Sequence, residues 1–135
     1  MSRSDLETLC DWLATFAAAV RRVDYAAAGT MFDPDVYSFG TVHNDVIGLE
    51  CLMARQWRSV WGVTRDFDFD YDNARGWISG DVGWIAARWR SAGERDGCTF
   101  DRTGRATIIL RLHQNRWLAV HSHFSMDPSS QPPCI

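Results

Sequence analysis

Apolar residues near the amino terminus recur at helical spacing. Within residues 4–21 they follow one another at steps of three and four positions, which places them on one stripe of an α-helix. Ser4 and Glu7 have the spacing of a capping box, in which each side chain satisfies an N–H group of the first turn. The pattern predicts an amphipathic helix over 4–21. Its apolar stripe consists of Leu6, Leu9, Leu13, Phe16 and Val20.

Two further helices and one strand are predicted in the first half. Asp24 is a suitable N-cap for a short helix over 24–32. Pro34 would end this helix, because proline has no backbone donor. A strand is expected over 36–41, and a third helix over 48–61, where apolar residues again share one face.

The second half shows the alternation typical of β-strands. Four strands are predicted, over 65–72, 82–90, 98–113 and 117–125. The first alternates between aromatic side chains and aspartates, so we expect its acidic side to face water. A polar loop is expected over 92–97, and a tight turn at Gln114-Asn115.

The order helix, helix, strand, helix and four-stranded meander predicts an α+β fold, with three helices against one strongly curved antiparallel sheet. The chain has 135 residues and no repeat or linker. We therefore expect a single domain, with its core over about 5–127 and a flexible tail over 128–135.

Composition and charge exclude several function classes. The chain is 46% hydrophobic and contains seven Trp and seven Phe, which excludes intrinsic disorder. The net charge is −3 and the arginines are dispersed, so nucleic acid is not an expected partner. No apolar run reaches the roughly 20 residues of a membrane span, and the amino terminus shows no signal-peptide pattern. A cytoplasmic protein without a membrane partner is expected.

The cysteines and aspartates do not form a metal pattern. The four cysteines stand about 40 residues apart, so reduced and mostly buried thiols are expected. The aspartates of 65–72 lack the glycine and the final acid of a calcium loop. No phosphate-binding glycine loop or nucleophile elbow is present. No metal and no cofactor are predicted. The cysteines are Cys10, Cys51, Cys98 and Cys134.

Three segments carry a family resemblance. One is the helix–strand passage over 25–37, and another is the Gly-Leu-Glu start of the third helix, which leads into Trp57 and Trp61. The most specific is the closing strand over 117–125, with its Trp…His-x-His-x-Ser pattern. Together they resemble the nuclear transport factor two-like superfamily. Within it, SnoaL-like domains and the association domain of calcium/calmodulin-dependent protein kinase II are the most similar.

The resemblance implies a cone-shaped fold, also described as a cystatin-like roll, whose sheet wraps a pocket that the helices close. It also implies a homodimer formed through the outer face of the sheet. The 82–90 strand agrees with the second point, because Trp84 and Arg88 lie on one of its faces and Trp89 on the other. A sheet with two partly apolar faces needs a cover for both.

His121 and His123 are the first candidates for chemistry. They lie on one strand face, where such a pair can bind a metal or provide an acid and a base near neutral pH, or can be structural. A metal would need a third ligand, and only distant His43, His113 or a carboxylate is available, so no metal is predicted. A SnoaL-like cyclase or hydratase would need an acid/base group in the pocket. The possible suppliers are His43, Asp45, His121 and His123.

Mid-strand arginines and tryptophans are further candidates. Arg88 and Arg111 could each hold an anionic ligand inside the cone, or form a salt bridge or an interface contact. Trp57, Trp61 and Trp84 could be core or a stacking surface. The predicted ligand-binding residues are Trp61, Trp84, Arg88, His121 and His123.

One branch of the superfamily can be tested residue by residue. Ketosteroid isomerases need an oxyanion-stabilising Tyr on the first helix and an Asp base beyond the first strand. Phe16 and Gly40 occupy the matching positions, so this activity is not expected.

The sequence predicts a homodimer that binds a small, partly apolar organic molecule. Isomerase, cyclase or hydratase chemistry is an extension of this hypothesis, and the sequence leaves open whether the protein is an enzyme. The alternative is a non-catalytic association module with structural histidines and a vestigial pocket.

Overall fold

The first helix forms where the apolar stripe predicts it. In the computed structural model, which describes residues 3–128 apart from the side chain of Arg95, α1 spans Asp5–Arg21. The Ser4 hydroxyl oxygen accepts a hydrogen bond from the Glu7 N–H at 3.1 Å, one of the two bonds of a capping box. The buried face of α1 includes four of the five predicted stripe residues. They are Leu9, Leu13, Phe16 and Val20.

A short helix and the first two strands follow. Helix α2 spans Tyr25–Gly29, and the Asp24 carboxylate caps it by accepting a hydrogen bond from the Ala27 N–H at 2.9 Å. Strand β1 spans Phe32–Phe39 and begins four residues earlier than predicted. Proline is tolerated there because the pairing of β1 is irregular over these residues. Strand β2, Val46–Ile47, is too short to give a periodic signal.

The third helical segment changes its hydrogen-bond pattern along its length. It consists of α-helical Leu49–Cys51 (α3), π-helical Leu52–Trp57, α-helical Arg58–Val60 (α4) and 3₁₀-helical Trp61–Val63. The predicted helix over 48–61 is therefore confirmed as a helical segment, although periodicity gives no sign of its π-helical centre. π-Helical turns occur often at functional sites.

Seven strands form one curved, unclosed sheet. The remaining five are β3 Thr64–Phe69, β4 Arg75–Ser79, β5 Val82–Arg95, β6 Cys98–His113 and β7 Arg116–Met126. The strand order is β2-β1-β7-β6-β5-β3, and β4 also pairs with β5. All pairs are antiparallel except β1 with β7. With the helices on one face of this sheet, the predicted α+β class is confirmed.

Two of the sequence predictions for the second half need correction. Residues 92–95 of the predicted polar loop continue β5, and only Asp96 and Gly97 turn the chain, both with positive φ. Glu94, Asp96 and Gly97 are exposed at this hairpin, which accounts for the polar pattern. Strand β4 is absent from the prediction, because its residues do not alternate in polarity. The turn at Gln114-Asn115 is confirmed, since both residues have positive φ, as a type I′ turn requires.

A bulge in β7 determines which side chains face the helices. Leu110 of β6 pairs with Ala119, whereas its neighbour Ile109 pairs with His121, so Val120 is an extra residue. Before the bulge the inward-facing residues of β7 have odd numbers, and after it they have even numbers. Ala119 and Ser122 are both buried, and the histidines at 121 and 123 turn to the outer face.

A polar group fixes the end of α1 on the sheet. Arg21 donates a hydrogen bond to the Phe67 carbonyl at 2.7 Å and lies 3.5 Å from the Asp68 carboxylate. Asp68 also accepts a hydrogen bond from the Tyr71 hydroxyl at 2.5 Å. Burial and this carboxylate raise the pKa of Tyr71. On the acidic side of this segment Asp66 and Asp72 are exposed, as predicted, whereas Asp68 and Asp70 are only partly exposed.

The cysteines and the carboxyl-terminal residues differ from expectation in their surroundings. Cys10 is half-buried, but Cys51 and Cys98 are exposed, so the prediction of mostly buried thiols is wrong for these two. Cys134 lies outside the described residues, as does the predicted flexible tail beyond Pro128. None of the helices in the described part of the chain has the length and apolarity to cross a membrane.

The indole of Trp89 lies against the backbone of β6. Its Nε1–H donates to the Arg105 carbonyl at 3.2 Å, and its ring covers Gly104. A Cβ atom at position 104 would collide with this ring and with the Ser125 carbonyl oxygen. Only glycine allows β6 and the Trp89 ring to approach so closely.

Gly104→Ala should therefore lower the free energy of unfolding by about 1–3 kcal/mol, the usual cost of forcing extra volume into a packed interior. Urea unfolding followed by tryptophan fluorescence measures this. Gly62→Ala is the control, since a Cβ atom at 62 would meet no atom within 4 Å. Equal stability of the two variants would contradict the close-packing argument.

Candidate functional site

A cavity lies between the helical segments and the concave face of the sheet. Its wall is mainly aromatic and aliphatic, and its volume is about 60 Å³. One water needs about 10–15 Å³ on this measure, so the cavity has room for only a few non-hydrogen atoms. The apolar wall is formed by Phe16, Val20, Phe32, Phe39, Leu52, Trp57, Val60, Trp61, Phe67, Trp89 and Phe124.

Phe16 connects most of this wall. Its ring centroid lies 5.4 Å from that of Phe32 and 5.8 Å from that of Trp61, with the second pair edge to face. Trp57 and Trp61 stack with their centroids 4.6 Å apart. Aromatic contacts of this kind hold the wall in a defined shape and leave ring faces and edges as the surface offered to a ligand.

Polar side chains line one part of the cavity, and we call Thr41, Gln56, Ser91 and Arg102 the polar cluster. Thr41 joins two of its members. The Thr41 hydroxyl oxygen accepts from Arg102 Nη2 at 3.2 Å and from Gln56 Nε2 at 3.5 Å. Ser91 pairs with Arg102 across β5 and β6, on the same inner face. The four residues come from the loop after β1, the π-helical turn, β5 and β6.

Arg102 is half-buried and packs on the aromatic wall. Its guanidinium carbon lies 5.7 Å from the centre of the Trp89 ring, and that ring covers the bare backbone of Gly104. Nη2 also lies 3.6 Å from the sulfur of Met126. Burial lowers the pKa of Arg102, but a guanidinium remains charged at neutral pH. The cavity therefore contains a fixed positive charge.

Gln56 comes from the π-helical turn and packs onto Gly40. A Cβ atom at position 40 would collide with the Gln56 amide, so the glycine makes room for it. Within the described residues, Gln56 Oε1 is buried and has no hydrogen-bond partner, and the same holds for Ser91 Oγ. Ser91 as a whole is only 6% exposed. Buried polar atoms without partners are rare and costly, so these two atoms need an explanation.

A second serine in the wall is satisfied within the protein. The hydroxyls of Ser122 and Ser38 are 2.7 Å apart and hydrogen-bonded, and both residues are buried. They join the parallel strands β1 and β7. Because each hydroxyl has the other as its partner, this pair needs no ligand and serves as a structural contact.

The structure places only one of the five predicted ligand-binding residues in the cavity wall. Trp61 lies there, and its contact with a ligand stays a prediction. Trp84, Arg88, His121 and His123 lie on the outer face of the sheet, so the expectation that they line the cavity is corrected. The bulge at Val120 is the reason for the histidines, since without it both would share the inward face of Ala119.

Three of the four outer residues have side-chain partners on that face. Arg88 pairs with the Asp127 carboxylate at 2.7 Å, the salt bridge that was the alternative to an anion site. His121 Nδ1 hydrogen-bonds to the Tyr37 carbonyl oxygen at 2.7 Å. His123 packs edge to face with Phe39. Arg111 lies exposed on the same face, opposite Leu118. A role for any of them in ligand binding or catalysis stays a prediction.

The remaining acid/base candidates also lie outside the cavity wall. His43 Nε2 is 3.1 Å from the Arg55 carbonyl oxygen, and Asp45 accepts a hydrogen bond from the Tyr37 hydroxyl at 3.3 Å. No three His, Cys, Asp or Glu side chains of residues 3–128 come together as a metal site. Arg88 and the acid/base candidates therefore lie outside the cavity, whose polar groups include the residues of the polar cluster.

Phe16 and Gly40, the positions matched to the ketosteroid isomerase groups, both line the cavity. The cavity wall also includes Gln56, Ser91 and Arg102, none of which the sequence patterns select. A signal for Arg102 exists in β6, where the inward positions 104, 106, 108 and 110 hold only Gly, Ala, Ile and Leu. An arginine that continues such a run is unusual. Ser91 and Gln56 show no comparable signal.

The fold is shared with solved structures at low sequence identity. A candidate calcium/calmodulin-dependent protein kinase II association domain from Xanthomonas campestris matches with a TM-score of 0.80 and 17% identity, over 93% of this chain and 90% of that one. A ketosteroid isomerase-like protein from Erwinia carotovora atroseptica has a TM-score of 0.76 and 14% identity, over 95% and 100%.

A candidate dehydratase of the nuclear transport factor 2-like family from Streptomyces avermitilis also matches, with a TM-score of 0.76 and 15% identity, over 93% and 97% of the chains. No curated protein matches the sequence significantly. The family model for the SnoaL-like domain matches residues 10–128, nearly the whole described chain. The protein is therefore a member of the SnoaL-like domain family.

Proposed function

We propose that this protein binds a small, partly apolar organic molecule in the cavity between its helices and its sheet. One observation carries the proposal, namely an aromatic wall interrupted by a polar cluster with two buried polar atoms that lack partners. An apolar wall with a few convergent polar groups is typical of small-molecule sites. A bound ligand would satisfy those atoms and account for their burial.

The cavity favours binding over acid–base catalysis. Isomerase, cyclase and hydratase reactions move protons, which requires a group that titrates near neutral pH. Among the described lining residues, Arg102 has the one ionisable side chain, and a guanidinium is a poor proton acceptor or donor at that pH. The names of two structural neighbours, one isomerase-like and one a candidate dehydratase, support a ligand and leave the reaction open.

The outer face of the sheet supports a homodimer, which we propose as the assembly of this protein. The registers place one residue from each of six strands in a row across this face. All except the histidine are large apolar side chains with at least 37% of their surface exposed. Contiguous apolar surface of this kind marks an interface. The row is Ile47, Tyr37, His121, Ile109, Trp84 and Trp77.

The same row favours the second candidate function, an association module without catalysis. The two proposals share the dimer and differ in the cavity. A binding protein needs an open, complementary cavity, whereas an association module would tolerate its obstruction. Filling the cavity therefore separates them.

Val60→Phe tests the binding proposal, because Val60 lines the cavity and a larger side chain there would fill it. Isobutyramide, a small neutral probe, should shift the amide NMR signals of lining residues in the wild type. We expect at least tenfold weaker binding in Val60→Phe. Val63→Phe is the control, since Val63 is 58% exposed and lies outside the wall. Binding that is equal in all three proteins would refute the proposal.

Trp84→Glu tests the dimer. A carboxylate in the middle of the apolar row would have to be desolvated on association, so we expect dimerisation at least tenfold weaker than in the wild type. Sedimentation equilibrium measures it, with Val63→Glu as a charge-matched control away from the row. A wild-type protein that stays monomeric at tens of micromolar, or a Trp84→Glu dimer of unchanged strength, would rule out this interface.

A further inference from the structure

We propose that the polar cluster selects a small hydroxy acid, whose carboxylate pairs with Arg102 and Ser91 and whose hydroxyl donates to Gln56 Oε1. The inference rests on the proposed binding function and names the chemical class of its ligand. It follows from three side chains that come from different elements and are connected through Thr41 and the β5–β6 register.

The first step is the charge of Arg102. Its side-chain partners among the described residues are the Thr41 hydroxyl, the Met126 sulfur and the Trp89 ring, all of them neutral. The ion pairs of residues 3–128 involve other arginines. A half-buried cation without a counter-ion is costly, and an anionic ligand removes that cost.

The second step is the shape of the anion. The hydrogen bonds of Arg102 to Thr41 and Met126 both use Nη2, so the rest of the guanidinium fork can face the cavity. A guanidinium presents parallel N–H groups that match the two oxygens of a carboxylate. The Ser91 hydroxyl, beside Arg102 in the register and without a partner, can donate to the same group.

The third step is the need for a donor on the ligand. Gln56 Oε1 is an acceptor and is buried without a partner in the described part of the chain. A carboxylate oxygen cannot satisfy it, because an ionised carboxylate has no proton to donate. The amide nitrogen of Gln56 and Nη2 of Arg102 both reach the Thr41 hydroxyl, so the donor and the carboxylate must be close together in the ligand. A hydroxyl on a carbon near the carboxylate meets this requirement.

The fourth step is the size of the apolar part. The aromatic wall surrounds only a small volume, and it contains no further charged side chain among the described residues. A short branched or alicyclic body is therefore favoured over a long chain or a second charged group. The ligand class is a small aliphatic hydroxy acid.

Three probes separate the parts of this proposal. 2-Hydroxyisobutyrate carries both groups, 2-hydroxyisobutyramide lacks the charge, and isobutyrate lacks the hydroxyl. NMR titration at pH 7 and low salt should show the hydroxy acid binding at least tenfold more tightly than its amide. Isobutyrate should bind several-fold more weakly than the hydroxy acid.

Variants at position 102 test whether Arg102 causes the preference for the acid over the amide. Arg102→Met should bring the acid and the amide to within about twofold of each other, whereas Arg102→Lys should keep part of the preference because it retains the charge. Arg105→Met is the matched control, on the same strand but exposed and outside the cavity wall, and should behave as the wild type. Melting curves establish that each variant is folded.

Equal affinity of the wild type for the acid and the amide would overturn the hydroxy-acid proposal, as would a preference that survives in Arg102→Met. If Arg102→Met does not fold, the acid–amide comparison in the wild type and in Arg102→Lys decides. Neither outcome touches the proposed binding function, which the neutral probe tests separately. Failure of all four probes to bind would refute both.

Discussion

The Trp89 indole packs directly against the backbone of Gly104, and this contact shapes the cavity. Because position 104 has no side chain, the ring packs directly on β6 and becomes part of the wall. Arg102, two residues earlier on the same face, lies over that ring and brings its charge to the cavity. One close approach between two strands therefore sets both the apolar surface and its charged group.

The two faces of the sheet present different kinds of side chains. The inner face holds the aromatic wall and the polar cluster, while the outer face presents an apolar row across six strands. The bulge at Val120 separates them within β7, because it turns Ser122 inward and the neighbouring histidines outward. A one-residue change of parity thus decides whether the histidines belong to the cavity or to the surface.

The sequence predicts the fold well, because periodicity and turn chemistry are local. The stripe of α1, its Ser4 cap and the Gln114-Asn115 turn are all where the pattern places them. The site is less predictable, because it depends on which strand parity faces inward. Alternation groups His121 with His123 correctly and cannot reveal the bulge before them. Gln56 depends on a π-helical turn, and no residue pattern announces it.

A small organic molecule held in the cavity should stay bound when the protein is purified. Native mass spectrometry, under conditions that preserve non-covalent contacts, can detect it. We expect one retained small molecule per chain in the wild type and its loss in Val60→Phe, with the chain mass otherwise unchanged. A wild-type protein that carries nothing and cannot be distinguished from the filled variant would contradict this expectation.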